Sequence, residues 1–166
     1  EKNLPLVKKV YEDGNIIGDH TFTHHNVAEN SPQRTFMELR LTRMLVECIT
    51  GRSTILFRAP YNADSDPSGN DEIVPLVEAK KQNFMDVGES IDPEDWQPGV
   101  KAQTIFERVI KGVEHGNGHI ILLHDAGGET RKETVKALPL IIEYLQQRGY
   151  HFITLDQYLG RSKSQL

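Results

Sequence analysis

One cysteine in 166 residues leaves no partner for an intrachain disulfide and no thiolate cluster for zinc. That residue, Cys48, stands in TRMLVECIT at helical spacing from Met44 and Leu45. It reads as a small buried hydrophobe rather than a nucleophile. Long apolar runs are missing as well. The strongest, Ile120 to Leu123 and Leu138 to Ile142, are core-sized, so no segment is expected to cross a membrane. Basic clusters are absent: 19 Lys and Arg are scattered among 24 acids, for a net charge of −5. That balance argues against nucleic acid or an anionic membrane as partner. There is also no initiating methionine or signal-peptide pattern before Glu1, a start that reads as the interior of a longer chain. What remains is the composition of one soluble domain, 37% hydrophobic and 26% charged, long enough for a single substantial core.

Along the chain helical and extended patterns alternate. Leu4 to Tyr11 reads as a short helix stopped by Asp13-Gly14, and Ile16 to His20 as a strand. Ser31-Pro32 is an N-cap with proline at the first helical position, opening a helix that runs to Gly51. Thr54 to Phe57 is a buried strand, Asp71 to about Gln82 a helix, and Phe84 to Val87 a short strand. Ala102 to Glu114 places Ile105, Val109, Ile110 and Val113 on one helical face. Ile120 to Leu123 is an apolar strand, Thr134 to Arg148 a long helix ended by Gly149, and Phe152 to Leu155 a last strand. Five strands interleaved with helices imply a parallel sheet of βα units, whose ligand sites lie at the carboxyl ends of the strands.

The polar residues of interest fall at those ends. His20, His24 and His25 lie within six positions of a chain with seven histidines. Neutral imidazoles four apart on a loop can converge on a divalent ion and leave positions open for water; a solvated histidine-rich loop is the other reading. Arg58, in FRAPY, could orient a carboxylate or pair with a surface acid. Pro60 fixes a turn in which the Tyr61 backbone N–H could serve an oxyanion, or which merely ends the strand. Asp92-Pro93-Glu94-Asp95-Trp96 holds the one tryptophan beside three acids. Its ring is either a flat face for a sugar or a core anchor, and an aspartate there could hold a histidine. His124 ends the strand ILLH, a placement suited to a general acid. His115, His119 and His151 lie away from that rim and read as structural.

Taken in order, these segments resemble the polysaccharide deacetylase family, carbohydrate esterase family 4. GDHTFTHHNV resembles its His-Ser/Thr-x-x-His metal motif, FRAPY its Arg-x-Pro-Tyr/Phe, DPEDW its Asp-x-x-Asp-Trp and ILLHD its Leu-x-His-Asp motif. The resemblance implies an irregular (β/α)7 barrel, here one catalytic domain over residues 1–166. It implies His20 and His24 as ligands of a divalent metal, usually Zn2+, with Co2+ or Ni2+ as substitutes, and leaves His25 outside. His124 would be the catalytic acid, Asp95 would tune it, and Arg58 would orient a catalytic base. Tyr61 would donate its backbone N–H to the oxyanion, and Trp96 with Leu122 would wall an acetyl pocket. The implied reaction removes acetyl groups from N-acetylated sugars of chitin, peptidoglycan or poly-N-acetylglucosamine. Family members are mostly secreted or on the cell surface.

One motif is missing. The family's TFDDG, which supplies a base and the third metal ligand, occurs nowhere in the sequence. Asp19 stands where the family has asparagine, and as neighbour of His20 it should point away from the site. The expectation is therefore a barrel lacking its first one or two strands, with the Asp-Asp pair on an upstream segment or chain, and little activity without it. Removal of O-acetyl groups from xylan, or a catalytically inactive glycan-binding module, are the alternative readings.

Overall fold

The computed structural model describes residues 3–64, 67, 69–128 and 130–166. In chain order the elements are α1 (Leu4–Glu12), a 3-10 turn (Val27–Glu29), α2 (Pro32–Thr50), β1 (Leu56–Phe57) and a second 3-10 turn (Pro60–Asn62). There follow α3 (Asn70–Lys81), β2 (Met85–Asp86), α4 (Ala102–Glu114), α5 (Lys132–Gln147), α6 (Leu155–Leu159) and a last 3-10 turn, Lys163–Gln165. These form two compact units: the chain up to Gly88 with Ile153–Leu166, and Glu89–Phe152.

In the first unit, α2 begins where the Ser31 hydroxyl accepts the Arg34 N–H, with Pro32 behind it, and stops at Gly51 in the left-handed region at φ 72°. Its inner face carries Thr35, Glu38, Leu39 and Val46. Leu39 packs with Val27, Phe57, Ala59, Ala63, Ala79 and Phe84 to form the core. The sheet is parallel and short. Leu56 pairs with Met85 and Phe57 with Asp86, while Asp19 makes an isolated parallel bridge to the other edge of Phe57. That bridge rests on Asp19 N–H donating to the Leu56 carbonyl and Arg58 N–H to the Asp19 carbonyl, at 2.8 and 3.0 Å.

In the second unit, α4 and α5 pack through Ile105, Val109, Ile110, Ala137, Ile141 and Leu145. Gly112 of α4 approaches Ile91 so closely that an added Cβ would sit 2.9 Å from its Cγ2. Ile91 in turn bridges Ile121 in parallel.

The helices match their expected spans to within two residues, and α4 matches at both ends. The strands are shorter than expected. Of Ile16 to His20 only Asp19 pairs, and of Ile120 to Leu123 only Ile121. Thr54 to Phe57 and Phe84 to Val87 each shrink to two residues. Phe152 to Leu155 is not a strand: residues 152–154 are irregular, and Leu155 opens α6 behind the Thr154 cap. Strand formation needs a partner at the same register, and Phe152 and Ile153 are half exposed. Cys48 also departs from expectation and is exposed, because it lies off the Thr35–Leu39–Val46 stripe by which α2 is buried. Among the described residues no helix is long and apolar enough to cross a membrane.

Candidate active site

The motif residues divide between the two units. In the first unit the bridge at Asp19 delivers His20 at its end. His20 Nδ1 lies 2.8 Å from the Arg58 carbonyl oxygen. A carbonyl only accepts, so Nδ1 carries the proton and Nε2 keeps the lone pair, the arrangement in which histidines ligate metals. The His24 ring stands edge-on to His20 with centroids 4.9 Å apart, and Tyr61 stands 5.2 Å from His24. The Arg58 guanidinium donates to Asn62 Oδ1. His20, His24, Arg58 and Tyr61 are thus one cluster.

The backbone of this cluster is unusual. Among the described residues Thr21, His24, Tyr61, Asn62, Asn83 and Glu94 are the non-glycine residues with positive φ, and all but Asn83 lie in or beside the motifs. Thr21, β-branched at φ 65°, is the costliest of them, since its Cβ crowds the backbone there. Such conformations persist where surrounding contacts over-determine them, and they concentrate at functional sites.

The two histidines fit a divalent metal as a pair. The Nδ1 bond of His20 to the Arg58 carbonyl suits ligation through Nε2, and the His24 ring lies 4.9 Å away, centroid to centroid, close enough for the two to share a cation. Among the described residues no group of three His, Cys, Asp or Glu converges as a ligand set, so the pair is not a complete one. Asp19 does not complete it. Its side chain is 1% exposed, Oδ1 accepts the Thr21 N–H at 2.8 Å, and its charged neighbours are Arg43 and Glu38 of α2. Burial pushes the Asp19 carboxyl up to about 7, against the pull of the Thr21 N–H and Arg43.

Two features of this unit escaped the sequence reading. One is Glu38, buried in α2 and accepting four hydrogen bonds from the histidine loop and Arg34. Its sequence signal is a lone charge on the helix face marked by Leu39. Burial alone would raise its carboxyl, but the Thr23 N–H, the Thr23 hydroxyl and Arg34 hold it below the usual range. The other is the pair Asp64 and Asp86, set near Arg58 and hidden in the sequence within an ordinary polar loop and a strand end. Desolvation of the carboxyl, in a residue otherwise exposed, raises Asp86 to about 7; the adjoining Asp64 charge adds to this and Arg58 opposes it.

A carboxyl raised on folding costs stability once it ionises, and the cost enters between its ordinary 3.8 and about 7. Asp86→Asn is therefore expected to raise Tm above neutral pH and to leave it unchanged below 3.8. Discounted for solvent screening, the gain is about 1 kcal/mol, or some 2–4 °C. Thermal melts across pH check it; a gain that is the same at every pH would contradict the assignment.

In the second unit Asp95 is 6% exposed and sits under His124. Asp95 Oδ1 is 2.7 Å from His124 Nδ1, while Oδ2 accepts the His124 backbone N–H at 2.9 Å and the Thr134 hydroxyl at 2.8 Å. Burial by itself would raise the Asp95 carboxyl, but these bonds hold it below the usual range. With Nδ1 turned to the carboxylate, the imidazole presents Nε2 outward as a proton donor or acceptor. The loop carrying Asp95 is tied down: Asp92 Oδ1 accepts the Glu94 N–H, and Arg108 donates to the Pro93 carbonyl. Trp96 is 48% exposed, so its ring is no core anchor. Leu122 is half-buried and donates its N–H to the Ile91 carbonyl. Asp95 and His124 are brought together as a hydrogen-bonded pair.

A profile described as polysaccharide deacetylase matches residues 1–74. Two Bacillus cereus proteins, each named peptidoglycan-N-acetylglucosamine deacetylase, are 32% identical to this chain. One aligns over 98% of the chain and 56% of its own length, the other over 96% and 70%. A crystal structure of a peptidoglycan N-acetylglucosamine deacetylase in complex with 4-naphthalen-1-yl-N-oxidanyl-benzamide superposes with TM-score 0.81 at 31% identity, over 98% of this chain and 72% of that one. A family 4 acetyl xylan esterase from Clostridium thermocellum, in complex with a cobalt ion, superposes with TM-score 0.77 at 27% identity, over 99% and 75%. The chain belongs to the polysaccharide deacetylase family, and its fold is the irregular α/β barrel of that family's catalytic domains, in part. It spans little more than half the length of the first of these relatives.

Proposed function

We propose that this chain carries the metal and acid residues of a deacetylase that hydrolyses the acetamide of N-acetylglucosamine units in a cell-wall or chitin-type polysaccharide, outside the cell. The observation that carries the reading is the His20 ring, held through Nδ1 by the Arg58 carbonyl and facing His24. His20 and His24 would hold the cation, most simply Zn2+. When bound, it supplies a Lewis acid that makes water nucleophilic near neutral pH and polarises a carbonyl.

The remaining work belongs to side chains. Water adds to the acetyl carbonyl carbon, the C–N bond breaks, and the amine nitrogen must gain a proton to leave as a neutral amine. His124 is assigned that delivery from Nε2, with Asp95 fixing its tautomer. Arg58 is assigned to orienting the base, and the Tyr61 backbone N–H to the developing oxyanion. Trp96, half exposed, offers a flat face to a sugar ring, and Leu122 an apolar wall for the acetyl methyl.

The likeness to an acetyl xylan esterase supports one other reading, in which the ester of an O-acetyl group is the target. Acetate release by the full-length protein from N-acetylglucosamine oligomers, peptidoglycan and acetylxylan separates the two. Release from the N-acetylated substrates is expected, abolished by a chelator and restored by Zn2+ or Co2+. Acetate from acetylxylan alone would transfer the reading to the ester. Glycan binding without any hydrolysis, indifferent to chelator, would make the domain a binding module.

A further inference from the structure

The stretch between the two histidines has no regular structure of its own, yet it must hold His20 and His24 at fixed separation. Of its three backbone donors, the Thr21 N–H goes to Asp19 Oδ1 and the other two go to one residue of α2. Glu38 Oε2 accepts the N–H of Phe22 at 2.9 Å and of Thr23 at 2.7 Å. Glu38 Oε1 accepts the Thr23 hydroxyl at 2.8 Å and Arg34 Nε at 2.7 Å. Both lone pairs of both oxygens are thereby used. Arg34 closes the network by donating also to Thr23 Oγ1, at 3.3 Å. The Glu38 side chain is 3% exposed and rides on the rigid inner face of α2, where the hydroxyl of Thr42 also bonds the Glu38 carbonyl.

We propose that Glu38 is the positioning residue of the histidine pair: its buried carboxylate clamps Phe22 and Thr23, and so sets the spacing and aim of His20 and His24. The left-handed residues Thr21 and His24 flank the clamped pair on either side. A loop strained at both ends relaxes unless something between them is held, and the carboxylate is what holds it. No shorter side chain reaches, since aspartate is one methylene short of four donors in a packed setting. No apolar one would satisfy the two backbone N–H groups. Groups that orient ligands without touching the metal govern affinity in this way.

The inference rests on the reading of His20 and His24 as metal ligands, and its test keeps the two apart. Three measurements are made on the full-length protein. Amide exchange of the Phe22–Thr23 stretch is followed without metal, in the wild type, Glu38→Gln and Glu38→Ala. Zn2+ affinity is measured by competition with a chromophoric chelator, with His20→Ala as reference. Melting gives Tm.

In the wild type, exchange at Phe22 and Thr23 is expected to be at least tenfold slower than in Glu38→Ala, with protection in α4 unchanged. Zn2+ affinity is expected to fall about 10–100-fold in Glu38→Ala. In Glu38→Gln, which keeps an acceptor oxygen for the backbone, most of it should be retained. Should Glu38→Ala fail to fold, the wild-type exchange and Glu38→Gln decide.

Exchange at Phe22 and Thr23 in the wild type as fast as in open chain overturns the proposal. So does Zn2+ affinity in both Glu38 variants within twofold of wild type while His20→Ala loses binding. If wild type and His20→Ala bind Zn2+ equally poorly, the metal reading falls instead, and slow exchange at Phe22 and Thr23 would leave Glu38 as a structural clamp only.

Discussion

His124→Ala is expected to lower kcat by about 10²–10⁴-fold, the usual worth of a positioned general acid, with a much smaller effect on KM. The reason is the leaving group: an amine expelled without a proton is a poor one, and the assigned source of that proton is His124 Nε2. The variant should retain its fold. The His124 backbone N–H still donates to Asp95 Oδ2, and Thr134 still donates to the same oxygen, so only one of three bonds to the buried carboxylate is lost. Acetate release within tenfold of wild type would remove His124 from the role.

Asp95→Ala is expected to be the most damaging substitution to stability. It deprives three donors at once, two of them the His124 backbone N–H and the Thr134 hydroxyl. Donors left buried without an acceptor, beside a histidine that has lost its partner, cost about 3–5 kcal/mol together. For a chain of this size that is roughly a 10 °C fall in Tm. Asp95→Asn keeps the shape and should cost less stability, but it turns an amide toward donors and loses the charge that fixes the His124 tautomer. Activity should therefore fall well before stability does.

The pH dependence follows from the direction of the shift. Asp95 lies below its ordinary value of 3.8, so its contribution is present in full above that pH and is lost as pH falls through the folded value. The gap in Tm between wild type and Asp95→Asn should be constant near neutrality and close in acid. A gap that widens in acid would contradict the hydrogen-bonding scheme.

The helices were legible because their signals are local. α4 announces itself through Ile105, Val109 and Ile110 at helical spacing, and α2 through Ser31, Pro32 and Gly51. The motif residues were legible for a related reason: they sit just past short apolar runs, where a parallel sheet sends its chain toward a ligand. What could not be read was anything decided by a distant partner. Ile16 to His20 has the composition of a strand, but only Asp19 meets Phe57. Phe152 and Ile153 have the side chains of a strand, and pair with nothing among the described residues. Glu38 looked like any helix-surface acid, because its partners Phe22 and Thr23 lie sixteen and fifteen positions back. Asp64 and Asp86, likewise, are neighbours only after the chain has turned through α3.

The bond from His20 to the Arg58 carbonyl spans thirty-eight positions, and the N–H of that same Arg58 is the one that closes the bridge to Asp19. The first of the two proposed ligands is therefore hooked to the edge of the sheet itself, not to its own neighbourhood. A nascent or partly unfolded chain, however helical, cannot present a correctly oriented histidine pair, because loop closure over that distance must come first. On the proposed reading, competence to take up metal would thus be acquired late in folding and lost early in unfolding. Uptake of the ion would act as a proofreading step: it adds binding free energy only to molecules whose strands have found the right register.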